Sequence, residues 1–310
     1  MRLPHPIILV CLAVLCGCKL DATVKGVTLG GMGVITATAW RYILASVIML
    51  SLFVAARRAM PGRKAIRFHT LRSIAQVLSS VTFFYALTQI TLAEAVVMGF
   101  TAALMIAPIA RVLLGERMSP VTVGASLVGF VGAAIAISGE PASAPEGGTR
   151  IYGIAAMLVS AVGYALNIVL LRMRTKEEDA LTLVTFMNVL PALFLIPFLP
   201  FAGPLPETNA WPLLAGAGIA AVGIWSFMTL AYARARAQTL APFEYTGLIW
   251  SSLLGYAFFH EIPSLRLYGG AAIIIPLPCC LWISMNSNRL MIVLGMTQAT
   301  VCWWKLHADW

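Results

Sequence analysis

The chain has 310 residues, 60% of them hydrophobic and only 11% charged, with a mean hydropathy of +0.89. Soluble globular chains are about half apolar and a quarter charged, so that class is excluded and most of this protein is expected in lipid. At about 20 residues per crossing and roughly ten per connection, the length accommodates about ten spans and leaves nothing for a soluble catalytic domain. The 21 basic residues against 12 acidic ones give a net charge of +9. In a membrane chain such an excess orients the spans, and nucleic acid is not an expected partner.

Arg2 and the apolar run to Cys18 resemble a signal peptide, and Leu15-Cys16-Gly17-Cys18 resembles a lipoprotein cleavage box. Further apolar runs follow at once, so the segment reads as the first helix of a polytopic chain. Runs of spanning length fall at residues 5–26, 34–56, 71–90, 94–114, 120–138, 151–171, 181–200, 211–232, 238–259 and 264–285. Breakers separate them: Gly30-Gly31 and Gly33, Pro61-Gly62, the stretch from Gly139 to Gly148 with Pro141 and Pro145, and Gly203-Pro204 with Pro206. The six cysteines sit in two groups near the ends, which does not suggest a disulfide framework.

Charge then sets the orientation. With the N-terminus inside, 16 of the 21 basic residues fall on the inner side, six of them between Arg57 and Arg72. The outer side keeps Lys19, Lys25, Arg41, Arg150 and Arg266. A bias of this size places both termini in the cytoplasm.

The two halves of the chain echo each other. Leu114-Gly115-Glu116-Arg117 closes the fourth span, and Phe259-His260-Glu261-Ile262-Pro263 closes the ninth, so Glu116 and Glu261 lie 145 residues apart. Asp21 and Asn167 are separated by 146, and Arg41 and Asn188 by 147. Five spans per half is an odd number, so the second copy enters the bilayer from the opposite side. The expected fold is an all-α polytopic membrane protein of about ten transmembrane helices in two inverted five-helix repeats. Residues 1–138 form the first repeat, 139–150 an external linker, 151–285 the second repeat and 286–310 an atypical C-terminal tail.

These residues resemble the EamA family of the drug/metabolite transporter superfamily. The resemblance rests on Ala93-Glu94-Ala95 through Leu114-Gly115-Glu116-Arg117, on Ala241-Pro242-Phe243-Glu244-Tyr245 through His260-Glu261-Ile262-Pro263, and on Trp40-Arg41-Tyr42 opening the second span. It covers residues 5–275. It implies an inner-membrane permease that exports or exchanges small metabolites, amino-acid-like solutes or drugs by alternating access around a central cavity. Beyond Ile275 the pattern departs, with Pro276, Pro278, Cys279, Cys280, Trp303, Trp304 and Trp310. A shifted reading frame or a tail lying at the interface both fit.

An ionisable group at mid-depth costs about 2.5–3.5 kcal/mol on insertion scales, so each needs a partner or a wet cavity. Glu244 lies well inside the ninth span beside Tyr245; it can bind a cationic substrate, exchange a proton or form a fixed pair. Arg41 can hold a carboxylate through its fork of donors or pair with Asp21 or Glu94. Asp21 and Lys25 have the spacing of an intrahelical ion pair, and Glu116 and Glu261 sit at helix ends, so all four read as structural charges. On the third span Arg72, Gln76, Ser79 and Phe83 form one polar and aromatic stripe. With Tyr85, Tyr164, Asn167, Asn188, Trp225, Ser226 and Trp250 it provides a lining for a cavity, or a set of contacts that glue helices together.

The fifth span repeats small residues at Ala125, Gly129 and Ala133, a seam for packing in the bundle or in a homodimer. No phosphate-binding loop and no metal-ligand spacing occur in the sequence, so neither enzymatic activity nor a cofactor nor a metal is expected. The expected partners are the lipid bilayer and a small solute.

Overall fold

The structure, a computed structural model, describes residues 5–115, 120–139, 149–174, 177–203, 205–234, 240 and 243–274. Within them the chain folds as helices α1 Pro6–Leu29, α2 Val34–Ala55, α3 Arg63–Gln89, α4 Leu92–Gly99, α5 Thr101–Leu114, α6 Pro120–Ser138, α7 Arg150–Arg174, α8 Ala180–Leu195, α9 Trp211–Tyr232, α10 Thr246–Phe259 and α11 Leu265–Ile274. Two short 3₁₀ turns, Ile196–Phe201 and Thr208–Ala210, link α8 to α9.

The boundaries follow local chemistry. Pro6 opens α1, where its missing N–H is no loss, and Gly30-Gly31 ends it, with Gly31 at φ 98°. Thr91 and Glu94 form a reciprocal cap at the start of α4. Gly115 and His260 end α5 and α10 in the left-handed region, at φ 66° and 53°.

Among the described residues, six helical stretches are long and apolar enough to cross a membrane: Pro6–Leu29, Val34–Ala55, Leu92–Leu113, Arg150–Leu171, Ala180–Phe201 and Thr208–Ala231. Helix α3 is long enough at 27 residues but carries too many polar groups to join them. The fourth expected span is broken at Phe100 into α4 and α5. A similar irregularity at Tyr245 separates the helical residues 243–244 from α10. The rest of the ninth and tenth expected spans, the segment 139–150 apart from its ends, and the C-terminal tail lie outside the described residues, as does Glu116.

Helix α1 packs along α9 and α3 along α7, while α6 lies on α11 and α2 on α8 and α9. Helix α5 contacts α7 as α10 contacts α1. Outward-facing apolar residues such as Val47, Val54, Ile219 and Phe258 are exposed, as a lipid-facing surface requires. Small residues set the closest crossings: a Cβ on Gly270 would stand 2.4 Å from the Gly132 carbonyl oxygen and 2.6 Å from the Ala136 nitrogen. In the α6 seam, Gly129 faces Leu104 and Ala133 joins a buried cluster with Ala271, so both positions serve packing within the bundle.

Ion pairs tie the two ends of the bundle. At the end carrying the α2–α3 connection, Arg58 Nε stands 3.7 Å from Asp179 Oδ2 and His69 Nε2 lies 2.7 Å from Glu178 Oε2. With Arg57, Arg63, Lys64, Arg67 and Arg174 nearby in the chain, this is the basic end. At the opposite end, Arg150 Nη2 donates to Glu94 Oε1 at 2.7 Å and to the Gly139 carbonyl at 2.6 Å.

The opposite end is also held by a pair that no local spacing announces. Lys25 Nζ lies 2.5 Å from Glu261 Oε1 and donates to the Ile90 carbonyl at 2.8 Å, while the Leu92 N–H donates to Glu261 Oε2 at 2.8 Å. One carboxylate thus joins α1, the start of α4 and the end of α10. The Asp21–Lys25 pair suggested by sequence spacing is not formed. A fully buried ammonium needs several acceptors, and Glu261 with the Ile90 carbonyl supplies them, leaving Asp21 for a cavity wall.

Two stability outcomes are expected. Gly270→Ala forces backbone apart and lowers stability by about 1–3 kcal/mol, whereas Gly124→Ala, with open space around it, leaves it within about 0.5 kcal/mol. Thermal unfolding in detergent compares the two, and equal effects would remove the close-crossing argument. Lys25→Met alone costs about 3–5 kcal/mol because it strands the Glu261 carboxylate, and adding Glu261→Gln restores part of that loss. A purely additive double mutant would show that the two groups are not coupled.

Candidate functional site

A cavity of about 240 Å³ lies at the middle of the bundle, walled by α1, α2, α3, α4, α7, α9 and the start of the α10 segment. Its wall is largely apolar and aromatic, with Phe83, Phe84, Phe100, Tyr164 and Trp225. Three ionisable side chains other than tyrosine and cysteine line it: Asp21, Arg41 and Glu244.

Helix α3 supplies the polar face. Gln76, Ser79 and Ser80 all line the cavity, because residues three and four apart share one side of a helix. With the basic residues Arg63, Lys64, Arg67 and Arg72 near its start, this polar face makes α3 the least apolar of the long helices. Ser79 Oγ donates to the Ser160 carbonyl at 2.9 Å, and Ser160 Oγ donates back to the Ser79 carbonyl at 2.9 Å. The two helices come this close because position 163 is glycine: a Cβ there would stand 2.9 Å from Ser79 Cβ.

Arg41 is only 3% exposed. Its Nη2 donates to Ser80 Oγ at 3.2 Å, and its guanidinium carbon lies 3.8 Å from the centre of the Tyr42 ring and 5.1 Å from that of Phe84. Among the described residues, its Nε and Nη1 have no hydrogen-bond partner. Glu94, one of the acids offered to it by the sequence, is committed to Arg150 and to the cap of α4. Two donors of a cation–π-held guanidinium are therefore available at a cavity wall, with the Asp21 and Glu244 carboxyl groups on the same cavity.

Below Arg41 a hydrogen-bonded layer closes one side. Gln76 Nε2 donates to Tyr42 Oη at 3.3 Å, Asn167 Nδ2 donates to Gln76 Oε1, and Tyr42 Oη lies 2.7 Å from Ser80 Oγ. The layer joins α2, α3 and α7.

Of the residues singled out in the sequence, the structure brings Arg41, Gln76, Ser79, Asn167, Trp225 and Glu244 to one cavity. Tyr245 sits just outside it, its ring edge-on to Phe100 with centres 4.7 Å apart. Tyr85 points away: it is 38% exposed and borders an outer groove with Val34, Ile35 and Ala202. Asn188 is fully buried in α8, where its Nδ2 donates to the Val184 carbonyl at 2.8 Å, and it does not reach the cavity. Both were placed by polarity, and polarity does not distinguish which side of a helix faces inward.

Asp21 moves the other way, from a structural pair to the cavity wall. Tyr42, Ser80 and Ser160 were not foreseen. Ser80 follows Gln76 by four residues, a spacing that could have found it, whereas Tyr42 is identified only by its tertiary hydrogen bonds.

Comparison with known proteins agrees with this architecture. The model of the EamA-like transporter family matches the chain twice, over residues 6–138 and 151–276. A riboflavin transporter of Brucella anthropi is 27% identical over 76% of this chain and 83% of its own length. A pseudopaline exporter of Pseudomonas aeruginosa is 25% identical over 69% of this chain and 74% of its own. A solved crystal structure with 18% identity shares the fold, with a TM-score of 0.64 over 92% of this chain and 98% of that one. The chain is an integral membrane protein and belongs to the EamA-like transporter family.

Proposed function

We propose that the protein is a secondary transporter that exports or exchanges a small amino-acid-like solute across the cytoplasmic membrane, with both termini in the cytoplasm. Ten spans form two inverted five-helix repeats, residues 1–138 and 151–285, joined by the linker 139–150 and followed by the tail 286–310.

Several features support the inverted repeat. Exchanging the halves converts the α1–α9 pairing into α7–α3, and α5–α7 into α10–α1, and both members of each set are present. Gly115 and His260, 145 residues apart, share a left-handed helix end. Phe100 and Tyr245, separated by the same 145 residues, mark the irregularities in the fourth and ninth spans and touch each other. A cavity between such halves opens to either side when one half rocks against the other.

The observation that carries the cargo class is the charge arrangement of the cavity. Arg41 presents two available donors that suit a carboxylate, and Asp21 and Glu244 suit an ammonium group. Aromatic side chains around them accept an apolar or planar body. Proton exchange at Glu244 supplies the coupling, with the basic-end excess setting the orientation.

The test uses purified full-length protein in proteoliposomes, with candidate zwitterions first ranked by their stabilisation of the protein in detergent. Zwitterions that stabilise the protein are expected to accumulate faster under an imposed pH gradient, and Glu244→Gln is expected to abolish that dependence. Arg41→Gln removes charge-assisted hydrogen bonds worth about 1.5–3 kcal/mol, so apparent affinity should fall roughly ten- to hundredfold. Flux indifferent to the gradient and to both substitutions would contradict the proposed coupling and cargo class.

A further inference from the structure

Among the described residues, one buried charged group belongs neither to the cavity nor to the ion pairs at the ends of the bundle. Arg72 is 1% exposed, and among the described residues none of its three guanidinium nitrogens has a hydrogen-bond partner. It does not line the central cavity. An unpartnered buried cation is among the most costly arrangements a fold can hold, and an apolar side chain of similar size would pack there without the penalty.

Among the described residues no carboxylate stands within ion-pair or hydrogen-bond distance of Arg72. The groups that act on its charge are Glu178 and Tyr42. Glu178 belongs to another pair, with His69 Nε2 at 2.7 Å and Arg174 Nε at 3.6 Å. Arg174 and His69 add no negative charge, and Tyr42 Oη is engaged with Ser80 and Gln76. The three guanidinium nitrogens of Arg72 therefore keep their donors unfilled among the described residues.

The place of Arg72 along α3 says what can fill those donors. Gln76, one turn further along the helix and about 6 Å away, belongs to the neutral Tyr42–Gln76–Asn167 layer that floors the cavity. Arg41 lies on the cavity side of the floor, and Arg72 lies on the side of the basic end. The floor consists of hydroxyl and amide side chains, which exchange hydrogen-bond partners by rotating without moving charge.

We propose that Arg72 is a second, transient binding step for the anionic oxygen group of the cargo. That carboxylate or phosphate leaves Arg41, passes the floor and meets Arg72 on its way to the basic end. The His69–Glu178 pair beyond it then forms the last closure. This deepens the transporter reading and rests on it, but its test does not require transport.

The test asks which charge can travel this route. A single cysteine is placed at Phe83, half-buried on the cavity wall, in a full-length chain whose six native cysteines are replaced. Two membrane-impermeant thiol reagents of similar size, a sulfonate-bearing and a quaternary-ammonium methanethiosulfonate, are applied to the basic-end side of membrane vesicles. With Arg72 present the anionic reagent is expected to be favoured, and Arg72→Gln should lower the anion-to-cation rate ratio about tenfold. Arg72→Lys keeps the charge and should restore most of the ratio.

A variant that merely unfolds would speed both reagents together and leave no ratio to restore, so folding failure is distinguishable. A ratio unchanged by Arg72→Gln, or no labelling from the basic end, overturns the proposal. Flux measured in parallel separates this outcome from failure of the transporter reading itself.

Discussion

A charge in hydrocarbon must be paired or wetted, and that constraint sorts nearly every ionisable side chain of this bundle into one of two roles. At the ends of the helices, charges are paired: Lys25 with Glu261, Arg150 with Glu94 and Arg174 with Glu178, which His69 also meets in a hydrogen bond. At mid-depth Asp21, Arg41 and Glu244 share a cavity, and among the described residues Arg41 and Arg72 keep guanidinium donors without a hydrogen-bond partner. Between them the end contacts join different helices and so fix the frame. Because a desolvated pair strengthens as water leaves, the same pairs that hold the ends also suit reversible closure.

Much of this was legible in the sequence. Composition and hydropathy placed most of the described helices to within a few residues, since a bilayer imposes one length and one polarity on a crossing, but α3 starts eight residues before the expected span. The stripe on α3 was visible because a helix has a fixed period; its Gln76, Ser79 and Phe83 line the cavity and its Arg72 does not. The breaks at Phe100 and Tyr245 were not visible, since neither is a glycine or a proline. The partner of Lys25 was missed for a physical reason. Spacing of four residues advertises Asp21, whereas Glu261 is 236 residues away in the chain and is brought near only by packing of α10 against α1 and α4. Tyr85 and Asn188 failed in the opposite sense, because a polar residue on a membrane helix satisfies its needs as readily on the helix's own backbone as in a cavity.

The relatives place this chain in a family whose members carry chemically different solutes, among them riboflavin and pseudopaline according to their names. The frame and the cavity contents therefore answer different questions. Helix crossings set by Gly163 and Gly270 belong to the frame, where a single methyl group intrudes on a neighbouring helix. Arg41, with its stacking partners Tyr42 and Phe84, belongs to the contents of the cavity.

In the proposed mechanism, two ion-paired ends open in alternation around one largely apolar cavity lined by Asp21, Arg41 and Glu244. Spin labels at Met60 and Arg234, exposed at the basic end, and at Leu29 and Leu205, exposed at the opposite end, allow both openings to be read as distances in the cysteine-replaced chain. Glu178→Gln, which weakens the lock at the basic end, should lengthen the Met60–Arg234 distance and shorten the Leu29–Leu205 distance in the same sample. If both distances lengthen together, or neither moves, the ends are not coupled and alternating access by this bundle is contradicted.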